Sequence, residues 1–341
     1  MTRQPSRLWL WCAAAALVSG LLGCDTDSGP AGPAGGRPVV AVIPKGTTHE
    51  FWKSVHAGAA KAGQEFNAEI IWQGPLKEDD RASQINTVEN FITRRVSGIV
   101  LAPLDETALV APVSSAVRSG TPVVIIDSGL KTEDYVSFVA TDNFKGGQMA
   151  GERLAESLGG KGRVVLLRYA VGSASTDQRE AGFLDAIKRH PGITVVSQNQ
   201  YGGATRESAI RVSENLLSTL RDPNSSSGLS VDGIFCPNES TTFGMLKVLT
   251  DLGAAGKLKF VGFDAAPDLV SALKEGRIDA LVVQNPFNMG YLGVKCMVQK
   301  LRGEDVPKRI DTGATLVTQH NMTDPQVSEL LNPDLKKWLK E

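Results

Sequence analysis

Polar and aromatic side chains that can bind a hydroxylated ligand recur at one kind of position in this 341-residue chain, just after short apolar runs. These candidates are Lys45, His49, Phe51, Trp52, Asp127, Arg179, Asn238, Asp264 and Gln284. Carboxylates and amides accept hydrogen bonds, charged side chains donate them, and aromatic rings stack on the C–H face of a sugar. Together they predict a site for a polyhydroxylated small molecule.

The sequence lacks the motifs that catalysis would need. It has no Gly-x-Ser-x-Gly elbow, no Walker A loop and no His-Glu-x-x-His motif. Asp127 and Asp264 could act as the paired catalytic carboxylates of a glycosidase, but their positions favour a role as hydrogen-bond acceptors for a ligand. The chain's four histidines and four cysteines form no cluster with metal-ligand spacing. We therefore expect no enzyme activity, cofactor or metal.

Each candidate also has a simpler structural interpretation. Asp127, Asn238 and Asp264 could cap the helices that follow them. Phe51 and Trp52 could be ordinary core residues, since large aromatics are usually buried. Only their recurrence at equivalent positions favours a binding site.

Alternating strands and helices must position these residues. Apolar runs predict strands at 39–43, 69–72, 98–102, 122–126, 163–167, 193–197, 231–235, 258–263 and 278–283. Amphipathic stretches predict helices at 50–66, 81–95, 106–119, 143–158, 176–189, 204–220, 238–252 and 286–302. Continuously apolar strands are typical of parallel sheets with helices on both faces. Such sheets bind ligands at the carboxyl ends of their strands, where the candidates stand.

The number of strand–helix units exceeds what one small sheet usually holds, so we divide the chain into two domains. The length agrees, at ~150 residues per domain. The run 136–140, followed by Thr141, Asp142 and Asn143, is predicted to be a crossing between them.

Composition excludes several classes of partner. The chain is 42% hydrophobic and 21% charged, with 36 basic and 37 acidic residues and a formal net charge of -1. No basic block occurs, which argues against nucleic acid or an anionic membrane surface as a ligand.

The N-terminus predicts export and a lipid anchor. Residues 1–23 combine arginines, an apolar run and Leu21-Leu22-Gly23, which is typical of a lipoprotein signal peptide ending before a lipidated Cys24. An ordinary signal peptide or an anchor helix is the alternative. Residues 24–37 comprise Cys24 and a Gly- and Pro-rich tether. Cys236 and Cys296 are expected to be buried free thiols, with a disulfide as the alternative.

Several segments in a fixed order resemble the periplasmic sugar-binding proteins of ABC importers, in the ribose/galactose-binding branch. They include "PVVAVIPKGTTHEFWKSVHAGA", "TPVVIIDSG", "VATDNFKGGQMAG", "STDQREAGF", "GIFCPNESTTFGM", "FVGFDAAPD" and "ALVVQNPFNMG". The resemblance runs from about Pro38 to Asn321. It implies the type I periplasmic binding protein fold, with two Rossmann-like doubly wound parallel-sheet α/β domains joined by a three-strand hinge. It places domain 1 at 38–141 plus 285–314 and domain 2 at 142–284 plus 315–341.

The resemblance assigns roles that match the candidates. The family's stacking aromatics fall on Phe51 and Trp52, and its polar ligand-binding residues fall on Asp127, Arg179, Asn238, Asp264 and Gln284. Three departures put ribose itself in doubt. Ser128 stands where ribose binders carry an arginine, His49 replaces an asparagine, and a second-domain aromatic is replaced near Ala204, with Tyr201 close by. Lys45 and His49 could instead favour an anionic ligand.

The implied function is capture of a pentose, hexose or related polyol by hinge closure, followed by delivery to an ABC permease and its ATPase. The protein is expected to be an extracytoplasmic monomer that contacts the membrane through its lipid anchor alone. The alternative is a sensor that presents its ligand to a histidine kinase or chemoreceptor.

Overall fold

The apolar runs form the strands of two six-stranded sheets in a computed structural model that describes residues 36–339. The first sheet contains β1 (Val39–Ile43), β2 (Glu69–Trp72), β3 (Gly98–Leu101), β4 (Val123–Ile126), β5 (Phe138–Ala140) and β11 (Arg309–Asp311). The second contains β6 (Lys161–Arg168), β7 (Gly192–Tyr201), β8 (Gly233–Phe235), β9 (Lys259–Phe263), β10 (Ala280–Gln284) and β12 (Ala314–Val317). Their spatial orders are β11-β5-β4-β3-β1-β2 and β12-β10-β9-β8-β6-β7.

Helices cover these sheets because the strands are apolar on both faces. They are α1 (Glu50–Glu65), α2 (Arg81–Thr93), α3 (Val110–Arg118), α4 (Asn143–Ser157), α5 (Ala174–Lys188), α6 (Arg206–Ser218), α7 (Glu239–Asp251), α8 (Pro267–Lys274), α9 (Pro286–Leu301), α10 (Pro325–Leu331) and α11 (Lys336–Leu339). The strands and helices predicted from the sequence are all present, although α3 begins at Val110 rather than 106. The paired strands are parallel except for β10 and β12, which are antiparallel.

Two lobes result, each a sheet with the helices packed on it. The chain passes between them where β5 leads into α4, where β10 leads into α9 and where β11 leads into β12. After the first passage α4 packs on α5 and the second sheet, and after the second passage α9 packs on α1 and the first sheet. We call the part built on the first sheet the first lobe and the other part the second lobe. This is the two-domain parallel-sheet fold expected from the sequence.

The last residues contact both lobes. Leu331 of α10 belongs to the apolar cluster of the second lobe that includes Val317 and Leu281. α11 instead contacts α1 of the first lobe, where the Lys61 Nζ lies 5.8 Å from the Trp338 ring centroid. Elsewhere in the two cores, Cys236 and Cys296 are buried free thiols.

Candidate functional site

All nine candidate residues from the sequence line one cavity between the two lobes. Glu78, Tyr169, Ser173, Ser175, Thr176 and Glu239 complete its lining. The first lobe supplies Lys45, Asp127 and the aromatic pair, and the second supplies Arg179 and Asp264. The cavity is therefore formed where the carboxyl ends of both sheets meet, as expected for α/β folds of this kind.

Two aspartates occupy matching positions in the two lobes. Asp127 directly follows β4 and Asp264 directly follows β9. Both have left-handed backbones, with φ of 61° and 70°, a conformation that is uncommon for residues other than glycine. The Asp127 N–H donates to the Val139 carbonyl at 3.1 Å, and the Asp264 N–H donates to the Val282 carbonyl at 2.9 Å. Each lobe thus holds one strained aspartate against the neighbouring strand.

Lys45 joins Asp127 to the second lobe. Its Nζ lies 2.8 Å from Asp127 Oδ2 and donates to Ser175 Oγ at 3.0 Å. The Ser175 N–H donates to Ser128 Oγ at 3.0 Å, which makes a second contact between the lobes. Ser128 is therefore a contact between lobes.

His49 is paired with a carboxylate that the sequence had not suggested. Its Nδ1 lies 2.7 Å from Glu78 Oε1, and both side chains are buried. Burial alone would lower the pKa of His49, but the charge and hydrogen bond of Glu78 raise it to about 9. Burial would likewise raise the pKa of Glu78, whereas His49 lowers it to about 2. His49 and Glu78 are thus a buried ion pair at neutral pH.

The aromatic pair divides into one core residue and one partly buried residue. The rings of Phe51 and Trp52 are edge to face, with centroids 4.9 Å apart and planes at 89°. Trp52 is buried in the core of the first lobe, and its Nε1–H donates to Glu78 Oε1 at 2.6 Å. The Phe51 backbone N–H donates to Glu239 Oε2 of the second lobe at 3.3 Å. Trp52 therefore fits both the core interpretation and the binding interpretation of the sequence.

Arg179 is buried on α5 and held rigidly. Its Nε donates to Asn143 Oδ1 at 2.8 Å, and its Nη1 donates to the Pro237 carbonyl at 3.0 Å. The guanidinium lies 4.0 Å from the Phe263 ring centroid. Burial lowers the pKa of Arg179, while Asp264 and Asp127 oppose that shift. The side chain presents a fixed cation to the cavity.

Asp264 accepts two hydrogen bonds from the second lobe. Gln284 Nε2 donates to its Oδ1 at 2.8 Å, and the Glu239 N–H donates to its Oδ2 at 2.9 Å. Burial raises the pKa of Asp264 to about 6, against the opposing charge of Arg179. Gln284 Oε1 is buried without a hydrogen-bond partner among the described residues. An unpaired buried amide oxygen is costly, so this atom is suited to accept a ligand hydroxyl.

Asn238 lines the cavity but also caps a helix. Its Oδ1 accepts from the Thr241 N–H at 3.3 Å and from Thr241 Oγ1 at 2.6 Å. Its Nδ2 donates to Ser240 Oγ at 3.1 Å. The capping interpretation is thus correct for this residue, and any ligand contact would be additional.

The sequence interpretation did not identify Glu78 or Tyr169. Tyr201, the aromatic noted there, is 40% exposed at the end of β7 and does not line the cavity. Tyr169 lines the cavity instead, one residue after β6. The rule that ligands bind beyond strand ends could have found it. Glu78 gave no such signal, because it lies in the charged run "KEDD".

Residues 36–339 hold neither a cluster of metal-ligating side chains nor a helix that could span a membrane. No group of three or more His, Cys, Asp or Glu side chains there is placed to hold a metal ion. No helix in the same range is long and apolar enough to cross a bilayer. Cys24, residues 1–23 and most of the tether lie outside the described residues.

A model of the periplasmic binding protein domain matches residues 40–305. The chain belongs to the periplasmic binding protein family. The ribose import binding protein RbsB of Haemophilus influenzae is 28% identical over 286 residues, which cover 84% of this chain and 93% of that protein. Proteins of this family are extracytoplasmic substrate-binding components of ABC transporters and are not enzymes.

Solved structures of periplasmic binding proteins share this architecture. A carbohydrate transporter solute binding protein from Agrobacterium radiobacter, in complex with D-arabinose, is 33% identical with a TM-score of 0.82. The match covers 87% of this chain and 99% of the chain in that structure. An ABC transporter solute binding protein from Agrobacterium vitis with bound D-fucose is 36% identical with a TM-score of 0.81, covering 86% and 100%. The family and fold expected from the sequence are confirmed.

Proposed function

We propose that this protein is the substrate-binding component of an ABC-type importer and captures a neutral monosaccharide or related polyol between its lobes. The observation that carries the proposal is the interlobe cavity, which holds carboxylates, amides, a fixed arginine and an aromatic ring. Relatives with bound D-arabinose and D-fucose support the ligand class. Lobes at 38–141 plus 285–314 and 142–284 plus 315–341 would close on the ligand, and the closed form would dock on the permease.

A neutral ligand fits the charges around the cavity better than an anion. Lys45 is already paired with Asp127, and His49 with Glu78. The charge of Arg179 is opposed by that of Asp264, and Glu239 is paired with Arg206 outside the lining, so the lining holds no excess of positive charge. The anionic alternative that Lys45 and His49 raised in the sequence therefore loses its main support.

A ligand screen tests the proposal. The protein is partly unfolded and refolded to remove carried-over ligand, and its thermal midpoint is measured with D-ribose, D-arabinose, D-fucose, myo-inositol, D-gluconate and glucose 6-phosphate. We expect a neutral compound to raise the midpoint, because a ligand that binds the native state stabilises it by mass action. The shift should be lost in Asp264→Ala and Phe51→Ala. It should persist in Asp268→Ala, which removes an exposed carboxylate of the same lobe.

The outcomes of the screen separate the alternatives. A shift with only D-gluconate or glucose 6-phosphate would show that the ligand is an anion and would contradict the proposal of a neutral ligand. No shift with any of the compounds would overturn the proposed sugar ligand.

The anchor and the monomeric state belong to the same proposal. Lipidation at Cys24 would hold the folded lobes at the membrane surface through the tether, which suits delivery to a permease. In membrane fractionation, the Cys24→Ser variant should be found in the soluble fraction. Size-exclusion chromatography with light scattering should give the mass of one chain.

A further inference from the structure

The Glu78 carboxylate collects hydrogen bonds from three side chains, and both of its oxygens are used. Its Oε1 lies 2.7 Å from His49 Nδ1 and accepts from Trp52 Nε1 at 2.6 Å. Its Oε2 accepts from the Tyr169 hydroxyl at 2.6 Å. Glu78, His49, Trp52 and Tyr169 are all at most 8% exposed. Glu78 is therefore bonded to protein groups and organises the cavity wall.

These bonds join the two lobes. Glu78 lies between β2 and α2, and His49 and Trp52 lie near the start of α1. All three belong to the first lobe. Tyr169 lies between β6 and α5 in the second lobe, and it contributes one hydroxyl to the cluster. Hinge opening that separates the lobes would break the Tyr169 bond and leave the bonds to His49 and Trp52 intact.

We infer that Glu78 is a positioning residue that couples ligand recognition to closure, fixing His49 and Trp52 in the first lobe and binding Tyr169 when the lobes meet. The inference rests on the proposed sugar-binding function and adds a specific device to it. Because the bond to Tyr169 forms between lobes, it stabilises the closed, ligand-holding state relative to an open one. Because both Glu78 oxygens are bonded to protein groups, we expect the effect to be the same for every sugar that the site accepts.

His49 gains a defined role from this arrangement. With Nδ1 held by Glu78, the second ring nitrogen is the one left to face a ligand, and the imidazolium makes it a donor. The raised pKa of His49, about 9, agrees with that role. The charged and titratable groups that share the cavity with His49 are Glu78, Glu239, Asp264 and Asp127, opposed by Lys45 and Arg179, with the Tyr169 phenol.

Tyr169→Phe tests the coupling, because it removes the interlobe hydrogen bond and keeps the ring. We expect sugar dissociation, measured by stopped-flow tryptophan fluorescence with D-ribose, D-arabinose and D-fucose, to be about tenfold faster or more, since a hydrogen bond to a charged group is lost. The order of affinity among the three sugars should not change. Tyr201→Phe removes an exposed hydroxyl from the same lobe and should dissociate at the wild-type rate.

Glu78→Gln tests the role of His49 through a pH profile. In the wild type, His49 keeps its proton from pH 7 to 8.5, so calorimetric affinity for the same sugars should be steady. Without the Glu78 charge, the pKa of His49 falls because burial is opposed only by the charges of Glu239 and Asp264, and the affinity should fall as the pH rises through that window. Glu89→Gln, an exposed change on α2, should keep the wild-type profile.

The two proposals fail in different ways. If the wild type binds sugar, but Tyr169→Phe dissociates at the wild-type rate or Glu78→Gln keeps a flat profile, the coupling is wrong and the sugar-binding function stands. If the wild type binds none of these sugars, both are wrong. Should Glu78→Gln not fold, the Tyr169→Phe dissociation rate decides the matter alone.

Discussion

Most of the charged residues in the cavity belong to ion pairs rather than standing as free charges. Lys45 and Asp127 form one pair, and His49 and Glu78 form another. A ligand with hydroxyl groups can exchange hydrogen bonds with such pairs without adding net charge to a buried space. A charged ligand would instead bring net charge into that buried space, at a desolvation cost.

Asp264 should make sugar binding depend on pH. Its pKa is raised to about 6 by burial, so a growing fraction of the free protein carries a protonated Asp264 below that pH. A sugar hydroxyl that donates to the carboxylate favours the ionised form, so binding at low pH must first release the proton. We expect affinity for the best-binding sugar, measured by calorimetry, to fall about tenfold from pH 7 to pH 5.

A matched variant identifies the group responsible for that pH dependence. Asp264→Asn keeps the size of the side chain and removes the titration, so its weaker binding should change little between pH 7 and pH 5. Glu78 and His49 do not titrate in this range, since their pKa values are about 2 and about 9. An unchanged slope in Asp264→Asn would assign the pH dependence to another residue.

The sequence predicted those site residues whose signal is local. Asp127 and Asp264 were identifiable because each directly follows an apolar strand, and parallel strands bring their carboxyl ends together. Glu78 was not identifiable, because its role depends on partners 29 residues before it and 91 residues after it. Tyr201, noted only as close to Ala204, is the last residue of β7 and is exposed there.

At the scale of elements, apolar periodicity found the strands of the sheet interiors and the edge strands β2 and β7, but it missed the edge strands β11 and β12. β11 (Arg309–Asp311) is short and largely exposed, and β12 pairs only with β10 in the described chain. Edge strands need less apolar surface because one side faces solvent. The sequence around 309–317 therefore lacked the continuous apolar run by which the other strands were predicted.

Close contact between α4 and α5 positions Arg179. Substitution of a glycine at that helix contact tests whether the spacing of the two helices matters for binding. A Cβ on Gly147 of α4 would lie 1.9 Å from the Arg179 carbonyl oxygen, so the two backbones touch only because that side chain is absent. We expect Gly147→Ala to force the helices apart, destabilise the protein by about 1–3 kcal/mol and weaken sugar binding. Thermal unfolding and calorimetry measure the two effects.

Gly129→Ala is the control for that variant. A Cβ there would meet its nearest heavy atom at 3.7 Å, an ordinary contact, and the backbone angle φ is not positive. Stability and affinity should remain near the wild-type values. If Gly147→Ala lowers the unfolding temperature but leaves the sugar affinity unchanged, then helix spacing does not set the position of Arg179.

At the scale of the whole molecule, the lobes also meet at a rim outside the cavity. Arg81 of the first lobe bonds Asp105 through Nε at 2.8 Å and donates from Nη2 to the Val171 carbonyl of the second lobe at 2.9 Å. Next to it, the Glu106 N–H donates to the Gly172 carbonyl at 2.9 Å. Because two of these bonds cross between lobes and none involves a cavity-lining residue, they stabilise closure without regard to the ligand.

Arg81→Ala should therefore weaken binding of every sugar by a similar, modest factor. One hydrogen bond contributes about 0.5–1.5 kcal/mol, and the half-exposed side chain places this one toward the lower end. We expect a loss of about twofold to fivefold in calorimetric affinity, equal for D-ribose, D-arabinose and D-fucose. Arg118→Ala removes an exposed arginine at the end of α3 and should have no effect. A loss confined to one sugar would mean that Arg81 acts on the ligand site, because a change in the closure equilibrium alone cannot distinguish between ligands.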